Sequence, residues 1–497
     1  MEKRICLIIT PSPFLLDERV FMSLGILRIA AVLEASGSSV DVLDLSGISN
    51  FESVVRDYIQ RSGTLFFGIT TTTPQLPSAV AITKLIKELS PRSRVILGGP
   101  HVTLINSAYK LEKKNGLSGR ATRAMDLMRD CFDVLVAGDG EKSIFLALEK
   151  DVPKIIDADE LDSNLFINHQ DELPVPARHL VDVSSYKYSI DGERALSLIS
   201  QLGCPFGCGF CGGRNSPSFR RIRSRSTESV VAEMVHLYKT YGIKGFMFYD
   251  DELNVSPKMI ELMKAIKDAQ VKLGVEWRLR GFLKSQLFNE EQAKIMYDAG
   301  FRWLLIGFES GSKKILENIN KRATVEDNTR CMDIAHKYGL KVKALMSIGH
   351  PGESMETILE TRDWLLAVRP EDFDVTMITV YPGSPYYDEA ILNSDGHWAY
   401  SCKNSERLYQ IEIDYMETAE YYKGDPNGGY KSFVFTDFLS TEKLVEMRDS
   451  LERDVREKLK IPFNPSNLAL RYEHSMGQTE IPKHILRSSP RKNTPEA

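Results

Sequence analysis

The stretch Cys204-Pro205-Phe206-Gly207-Cys208-Gly209-Phe210-Cys211 constrains this chain more than any other. Its three thiols follow a Cys-x3-Cys-x2-Cys spacing, close enough to serve one metal centre from a single loop. A structural zinc site wants a fourth protein ligand, and no further cysteine follows until Cys331. An iron–sulfur cubane held by three cysteines leaves one iron open to another ligand. Gly207 and Gly209 let a short loop wrap such a centre without Cβ clashes. On spacing alone, a zinc knuckle and three buried thiols are the plainer alternatives.

From residue 196 to about 390, strand-like and helix-like segments alternate roughly every thirty to forty residues. The strand readings are Leu196–Ser200, Gly245–Tyr249, Val275–Arg280, Trp303–Phe308, Val342–Ile348 and Val375–Val380. Six such units make a partial (β/α)6 barrel, with chemistry expected at the C-terminal strand ends. Four of those ends carry polar or glycine turns: Tyr249-Asp250-Asp251-Glu252, Gly307-Phe308-Glu309-Ser310-Gly311, Gly349-His350-Pro351-Gly352-Glu353 and Tyr381-Pro382-Gly383-Ser384-Pro385. Strand alternation lets only one of Asp250 and Asp251 face inward; a solvated acidic turn is the alternative. Arg214, Arg220, Arg221, Arg223 and Arg225 follow the cysteines, and salt bridging at the barrel rim is the preferred reading for most of them.

Residues 1 to about 150 show a β-α-β rhythm, with strands at Ile5–Ile9, Val40–Leu43, Leu65–Thr70, Val95–Leu97 and Val134–Val136. This argues for a flavodoxin-like (Rossmann-type) parallel sheet, which binds ligands beyond the carboxyl ends of its strands. Thr71, Thr72 and Thr73 follow the third strand, Gly98 and Gly99 the fourth, and Gly138 and Gly140 the fifth. Such residues admit close backbone approach to a large planar ligand, although glycines at strand ends are usually plain turns.

The cysteine loop, with Phe210 before its third cysteine and the ordered turns after it, resembles the signature of the radical S-adenosylmethionine (SAM) superfamily. With the first domain in front, the chain is similar to the class with an N-terminal cobalamin-binding domain. The resemblance implies a 4Fe-4S cluster on Cys204, Cys208 and Cys211, SAM chelating the fourth iron, and a 5′-deoxyadenosyl radical from its reductive cleavage. It also implies that Asp250 or Asp251 meets the SAM ammonium group. Glu309 would contact the ribose or amino group, and Gly349 would lie near the adenine. Thr71, Thr72, Thr73, Gly98, Gly99, Gly138 and Gly140 would contact cobalamin. One feature departs from the pattern: no Asp-x-His-x-x-Gly motif, whose histidine ligates cobalt, occurs among the nine histidines. Either cobalamin binds without a histidine, or the sheet holds none. His101 reads as a loop residue, not a cobalt ligand.

The resemblance implies methylation of an unactivated carbon, with methylcobalamin as donor. The alternative is a non-methylating cyclase, dehydratase or deoxygenase acting on a natural-product or lipid intermediate. No side chain is singled out as catalytic. The expected partners are a small-molecule substrate and an external electron donor such as flavodoxin or ferredoxin. A net charge of −5 over 497 residues gives no sign of nucleic-acid binding. No apolar run approaches a membrane span, and an oxygen-sensitive cluster implies a cytoplasmic, reducing location. The expected layout is a cobalamin-binding-like domain over 1–150, a Pro-containing linker over 151–195 pinned by Arg178, and the barrel over 196–390. A small, mostly helical substrate cap with an aromatic-rich sequence and a glycine loop near 424–429 follows over 391–475, then a disordered tail over 476–497.

Overall fold

The computed structural model describes residues 4–12, 15, 17–421, 429–462 and 481–489. Six parallel strands open the chain: β1 (Arg4–Ile9), β2 (Ser39–Asp44), β3 (Phe66–Thr70), β4 (Arg94–Gly98), β5 (Val134–Gly138) and β6 (Ile155–Ala158). Their spatial order is β2-β1-β3-β4-β5-β6. After Arg4, every residue of β1 is buried, as a strand covered on both faces by helices requires. The strand order reverses between β1 and β3, so a crevice opens at their carboxyl ends. β6 pairs with β5 from Leu135↔Ile155 to Gly138↔Ala158. The first layer therefore runs past the boundary expected at residue 150.

The linker is held by one buried charge cluster. Arg178 donates to Glu233 (2.5 Å) and to the Ser197 carbonyl (2.9 Å), and Arg225 donates to the other Glu233 oxygen. The two guanidiniums hold the Glu233 carboxyl below the usual carboxylate range against the opposing effect of its burial.

The second sheet begins with β7 (Ser189–Ile190), antiparallel to β8 (Glu193–Leu198). A short ribbon of β9 (Gln201–Leu202) and β10 (Arg223–Ser224) brackets the cysteine loop. Then come β11 (Gly245–Phe248), β12 (Arg278–Leu283), β13 (Phe301–Glu309), β14 (Lys341–Ile348) and β15 (Asp372–Met377), which run parallel with β8 in chain order. Together β8 and β11–β15 form the six-stranded partial barrel. Its helices have ordinary punctuation: Ser226 caps the helix Thr227–Tyr241, and left-handed Gly242 ends it. Asn289 and Gly300 do the same for the helix Glu290–Ala299.

Two barrel strands lie out of their expected register. β12 starts at Arg278 instead of Val275, because Gln270 accepts from the Trp277 amide (2.6 Å) and holds that segment as a loop. β15 starts at Asp372 and ends at Met377, three residues before the expected end.

The C-terminal region carries more strand than expected. β16 (Ile391–Leu392), β17 (Trp398–Ser401), β18 (Arg407–Gln410) and β19 (Val434–Thr436) form an antiparallel sheet, and the helix Thr441–Leu459 follows. The aromatics here serve packing: Tyr409 stacks on Phe435 at 4.9 Å, and the Tyr415 hydroxyl donates to the Val380 carbonyl. Except for Gly429, the expected glycine loop lies outside the described residues. The expected tail contains an ordered segment: β20 (Leu486–Ser488) pairs antiparallel with β2. Tail composition concealed this strand because its partner is nearly 450 residues away in sequence, as in the Val40 amide bond to Ser489. Among the described residues, no helix is long and apolar enough to cross a membrane.

Candidate functional site

The loop between β9 and β10 is fixed mainly by its backbone. The Cys204 amide donates to the Phe219 carbonyl (2.9 Å), Gly209 to Ile319 (2.8 Å) and Tyr386 to Gly209 (3.2 Å). The Asn320 amide holds the Gly207 carbonyl at 2.8 Å. Arg214 also reaches that carbonyl, and Arg220 reaches Pro205. Gly203 has φ +90°, and a Cβ there would lie 2.0 Å from the Arg221 carbonyl oxygen, so the loop enters through a position only glycine fits. Of the five arginines, Arg223 and Arg225 are buried pins, to Asp139 and Glu233 respectively.

Within the loop Cys208 is buried, Cys204 is half-buried, and Cys211 keeps an exposed edge. Desolvation of its sulfur, then the thiols of Cys208 and Cys204, pushes Cys211 up to about 12 in the metal-free chain. The three groups therefore sense one another, and bound iron would reverse this by stabilising the thiolates. Among the described residues, no three His, Cys, Asp or Glu side chains converge on a single ion. A cubane does not ask for that, because each thiolate takes a different iron corner. The donor set therefore fits a three-cysteine cubane.

Two buried cations stand over the loop. Lys284, at the end of β12, has its Nζ 3.9 Å from Cys208 Sγ and 4.4 Å from the Phe206 ring centre. Lys321 Nζ lies 2.8 Å from Glu309 Oε1. Glu309 itself has φ +65°, at a register break in β13. Such a conformation in a non-glycine residue costs about 1–3 kcal/mol and is held by its surroundings. Here those include the Ser347 hydroxyl, 2.9 Å from Glu309 Oε2. A chain of contacts continues from Ser347 to His350 Nε2 (2.7 Å), and from His350 Nδ1 to the Tyr386 hydroxyl (3.1 Å). Burial depresses His350 to about 4, so its ring is neutral near pH 7.

Both aspartates at the end of β11 are engaged by the chain. Asp250 is buried, accepts from the Ser200 amide (2.7 Å) and hydroxyl, and is raised to about 7 by burial. Asp251 accepts from the Gly203 amide at 2.7 Å. Both brace the entry to the cysteine loop, Asp250 from a buried position and Asp251 from an exposed one that also lines a cavity described below. The next residue, Glu252, faces Lys321, Lys284 and Glu309, and burial raises it to about 7. Gly349 has φ +100°, with Ile378 and Val434 methyls 3.1 Å from a Cβ there, and its amide donates to Glu353. The structure thus places Gly349 in packing against β19.

The first sheet contributes the other half. Gly98, Gly99, Gly138 and Gly140 line one cavity of about 300 Å³, together with Thr70, Thr103, Asp139 and Glu141. Gly203, Phe219 and Asp251 of the second domain line the same cavity. A larger cavity of about 680 Å³ adjoins it, sharing Thr70, Gly25, Pro100 and Phe219, and is walled by Phe21, Tyr249 and Tyr381. Thr72 and Thr73 line this second space, but Thr72 also forms a capping box with Gln75, and Thr73 bonds His101 (3.1 Å). Thr71 is buried, its hydroxyl without a hydrogen-bond partner, and it lines neither cavity. His101 is buried and depressed to about 3 by desolvation. It too lies outside both cavities, and no histidine among the described residues lines either one. Apolar walls from Leu7, Ile96 and Val136 beneath a glycine rim suit the tail of a large cofactor.

Sequence reasoning singled out neither Lys284, Lys321 nor Glu252 for a role at the site. Glu252 stood in a noticed motif, but the aspartate pair drew the assignment.

The chain is similar to known proteins in sequence and in fold. A radical SAM superfamily model matches residues 198–365, and a B12 binding domain model matches residues 18–143. An uncharacterised methyltransferase of Pyrococcus horikoshii is 30% identical over 342 residues, spanning 66% of this chain and 69% of that protein. An anaerobic magnesium-protoporphyrin IX monomethyl ester cyclase of Rubrivivax gelatinosus is 25% identical over 73% of this chain and 65% of its own length. In fold, the chain is similar to the radical SAM methyltransferase TsrM of Kitasatospora setae, solved with cobalamin and a [4Fe-4S] cluster. The TM-score is 0.61, with 17% identity and 91% of each chain covered.

Proposed function

This chain belongs to the radical SAM superfamily, in the class that carries an N-terminal B12-binding domain, and from that premise we propose that it methylates an unactivated carbon of a small molecule. One observation carries the proposal: the glycine rim of the first sheet and the entry to the cysteine loop line a single cavity. A methyl carrier on the first domain and a radical source on the second would thus face one shared space.

When bound, the 4Fe-4S cluster and SAM supply a carbon-centred radical, and cobalamin supplies a transferable methyl group. Cys204, Cys208 and Cys211 would hold the cluster. Glu309 would accept hydrogen bonds from SAM while Lys321 and Ser347 fix its carboxylate. Glu252, which faces the same cations, is a second acceptor for the SAM ammonium group. Gly98, Gly99, Gly138 and Gly140 would let the cofactor tail approach the first sheet. Phe21, Tyr249 and Tyr381 would keep water from the reacting carbon. An external electron donor of the flavodoxin or ferredoxin kind and a cytoplasmic location complete the reading, supported by the need of such a cluster for a reductant and a reducing compartment.

The similarity to a cyclase sustains one second reading, a radical cyclisation without methyl transfer. Anaerobic reconstitution with iron, sulfide and cobalamin separates the two. Cobalamin retention together with a product heavier by one methyl group supports methylation. Cluster absorbance and 5′-deoxyadenosine without bound cobalamin support the second reading. Zinc in place of iron and sulfide would overturn both.

A further inference from the structure

Lys284 is a buried cation that senses the Glu252 carboxylate without closing an ion pair with it. Only 2% of its surface is exposed, and among the described residues it forms no ion pair. Its backbone is locked in both directions to the Asn254 side chain, at 2.9 and 3.0 Å. Its ammonium meets the Cys208 sulfur at 3.9 Å and the face of Phe206 at 4.4 Å. The second buried cation nearby, Lys321, is already matched by Glu309. A buried ammonium with no carboxylate at ion-pair distance is unfavourable, and a protein keeps one where a closer counter-charge arrives. The group that would arrive beside Cys208 is an anionic iron–sulfur cluster on thiolates.

We propose that Lys284 is a positioning residue that raises the reduction potential of the cluster. The inference rests on assigning the cluster to Cys204, Cys208 and Cys211. In the step concerned, the oxidised cluster gains one electron from an external low-potential reductant and becomes more negative by one charge. A fixed cation at this distance, shielded from water, stabilises the reduced form more than the oxidised one. The Phe206 face and the Asn254 clamp keep the ammonium in place. Without this charge, a smaller fraction of the cluster would be reduced at any given potential.

The test uses the full chain, reconstituted anaerobically with iron and sulfide, titrated with dithionite against redox mediators and followed by cluster absorbance without SAM. Lys284→Met should hold the same iron and sulfide as the parent and show a reduced-to-oxidised ratio about tenfold lower at a fixed potential, a midpoint about 59 mV more negative. Lys284→Arg keeps the charge and should titrate close to the parent. An unchanged midpoint in a fully loaded Lys284→Met chain overturns the inference. If Lys284→Met folds but fails to hold the cluster, Lys284→Arg decides: recovery of iron supports the counter-charge, and continued loss overturns it. A parent chain that takes up no iron and sulfide would instead refute the cluster assignment itself.

Discussion

Lys321 Nζ and Glu309 Oε1 form a 2.8 Å ion pair at a strand end where Glu309 is held in a left-handed backbone conformation. Both side chains are largely buried, and the pair couples the end of β13 to the segment that also supports Gly207 through Asn320. Lys321→Met removes the cation and releases the carboxylate from its fixed direction. Charge-assisted hydrogen bonds contribute about 1.5–3 kcal/mol each. Iron-loaded Lys321→Met should therefore bind SAM about ten- to hundredfold more weakly by equilibrium dialysis, with its iron content unchanged. Equal affinity would remove Glu309 from the SAM site.

Cys208 is the most buried of the three loop cysteines and the one beside Lys284. Cys208→Ala should lose most of the iron and sulfide after anaerobic reconstitution while keeping its circular-dichroism spectrum. Cys331→Ala, in a helix far along the chain in sequence, should keep both. Full iron in the Cys208→Ala chain would exclude it as a ligand.

The sequence made the cysteine loop and the glycine strand ends legible because each demands particular residue types at fixed local spacing. Gly98, Gly99, Gly138 and Gly140 do meet in one cavity. Lys284 stayed hidden because the third barrel strand was read three residues early, which moved its C-terminal end from Leu283 to Arg280. That error came from the Gln270 side chain, which caps the Trp277 amide seven residues on and so holds the apolar run from Val275 out of the strand. The aspartate pair has partners that local spacing does not reveal. Asp250 and Asp251 accept from backbone about 50 residues upstream, at Ser200 and Gly203, a pairing with no local trace in the sequence.

Gly98 and Gly99 are neighbours with opposite tolerances. A Cβ at Gly98 would have its nearest contact at 3.7 Å, whereas at Gly99 it would lie 2.7–2.9 Å from Thr70 and Thr71, with φ +98°. Gly98→Leu should fold with a normal melting temperature and fill the cavity, retaining much less cobalamin after gel filtration. Gly99→Ala should lower stability by about 1–3 kcal/mol, measured by chemical denaturation. Undiminished cobalamin in Gly98→Leu would place the tail elsewhere.

Glu233 is the shared anion of Arg178 and Arg225, and all three are buried. Glu233→Ala leaves two guanidiniums without their counter-charge between the linker and the barrel. The expected loss is about 3–5 kcal/mol of unfolding free energy, read from denaturant melts of the metal-free chain. A loss under 1 kcal/mol would mean that solvent already screens this cluster.

Asp250 predicts a pH signature in the metal-free protein. Burial raises its carboxyl from 3.8 to about 7, opposed by hydrogen bonds from the Ser200 side chain and amide. A carboxyl with a higher pKa folded than unfolded binds its proton more tightly in the folded state. The stabilisation is complete below about pH 4, declines as pH rises, and is gone above about pH 7, where the buried group must carry charge. Asp250→Asn lacks this titration, while Glu252 and Glu353, also raised to about 7, titrate in both proteins. The melting temperature of Asp250→Asn relative to the parent should therefore climb between pH 5 and pH 7 and level off by pH 8. Parallel curves across that range would mean that the Ser200 hydrogen bonds hold Asp250 ionised throughout, with no net burial effect.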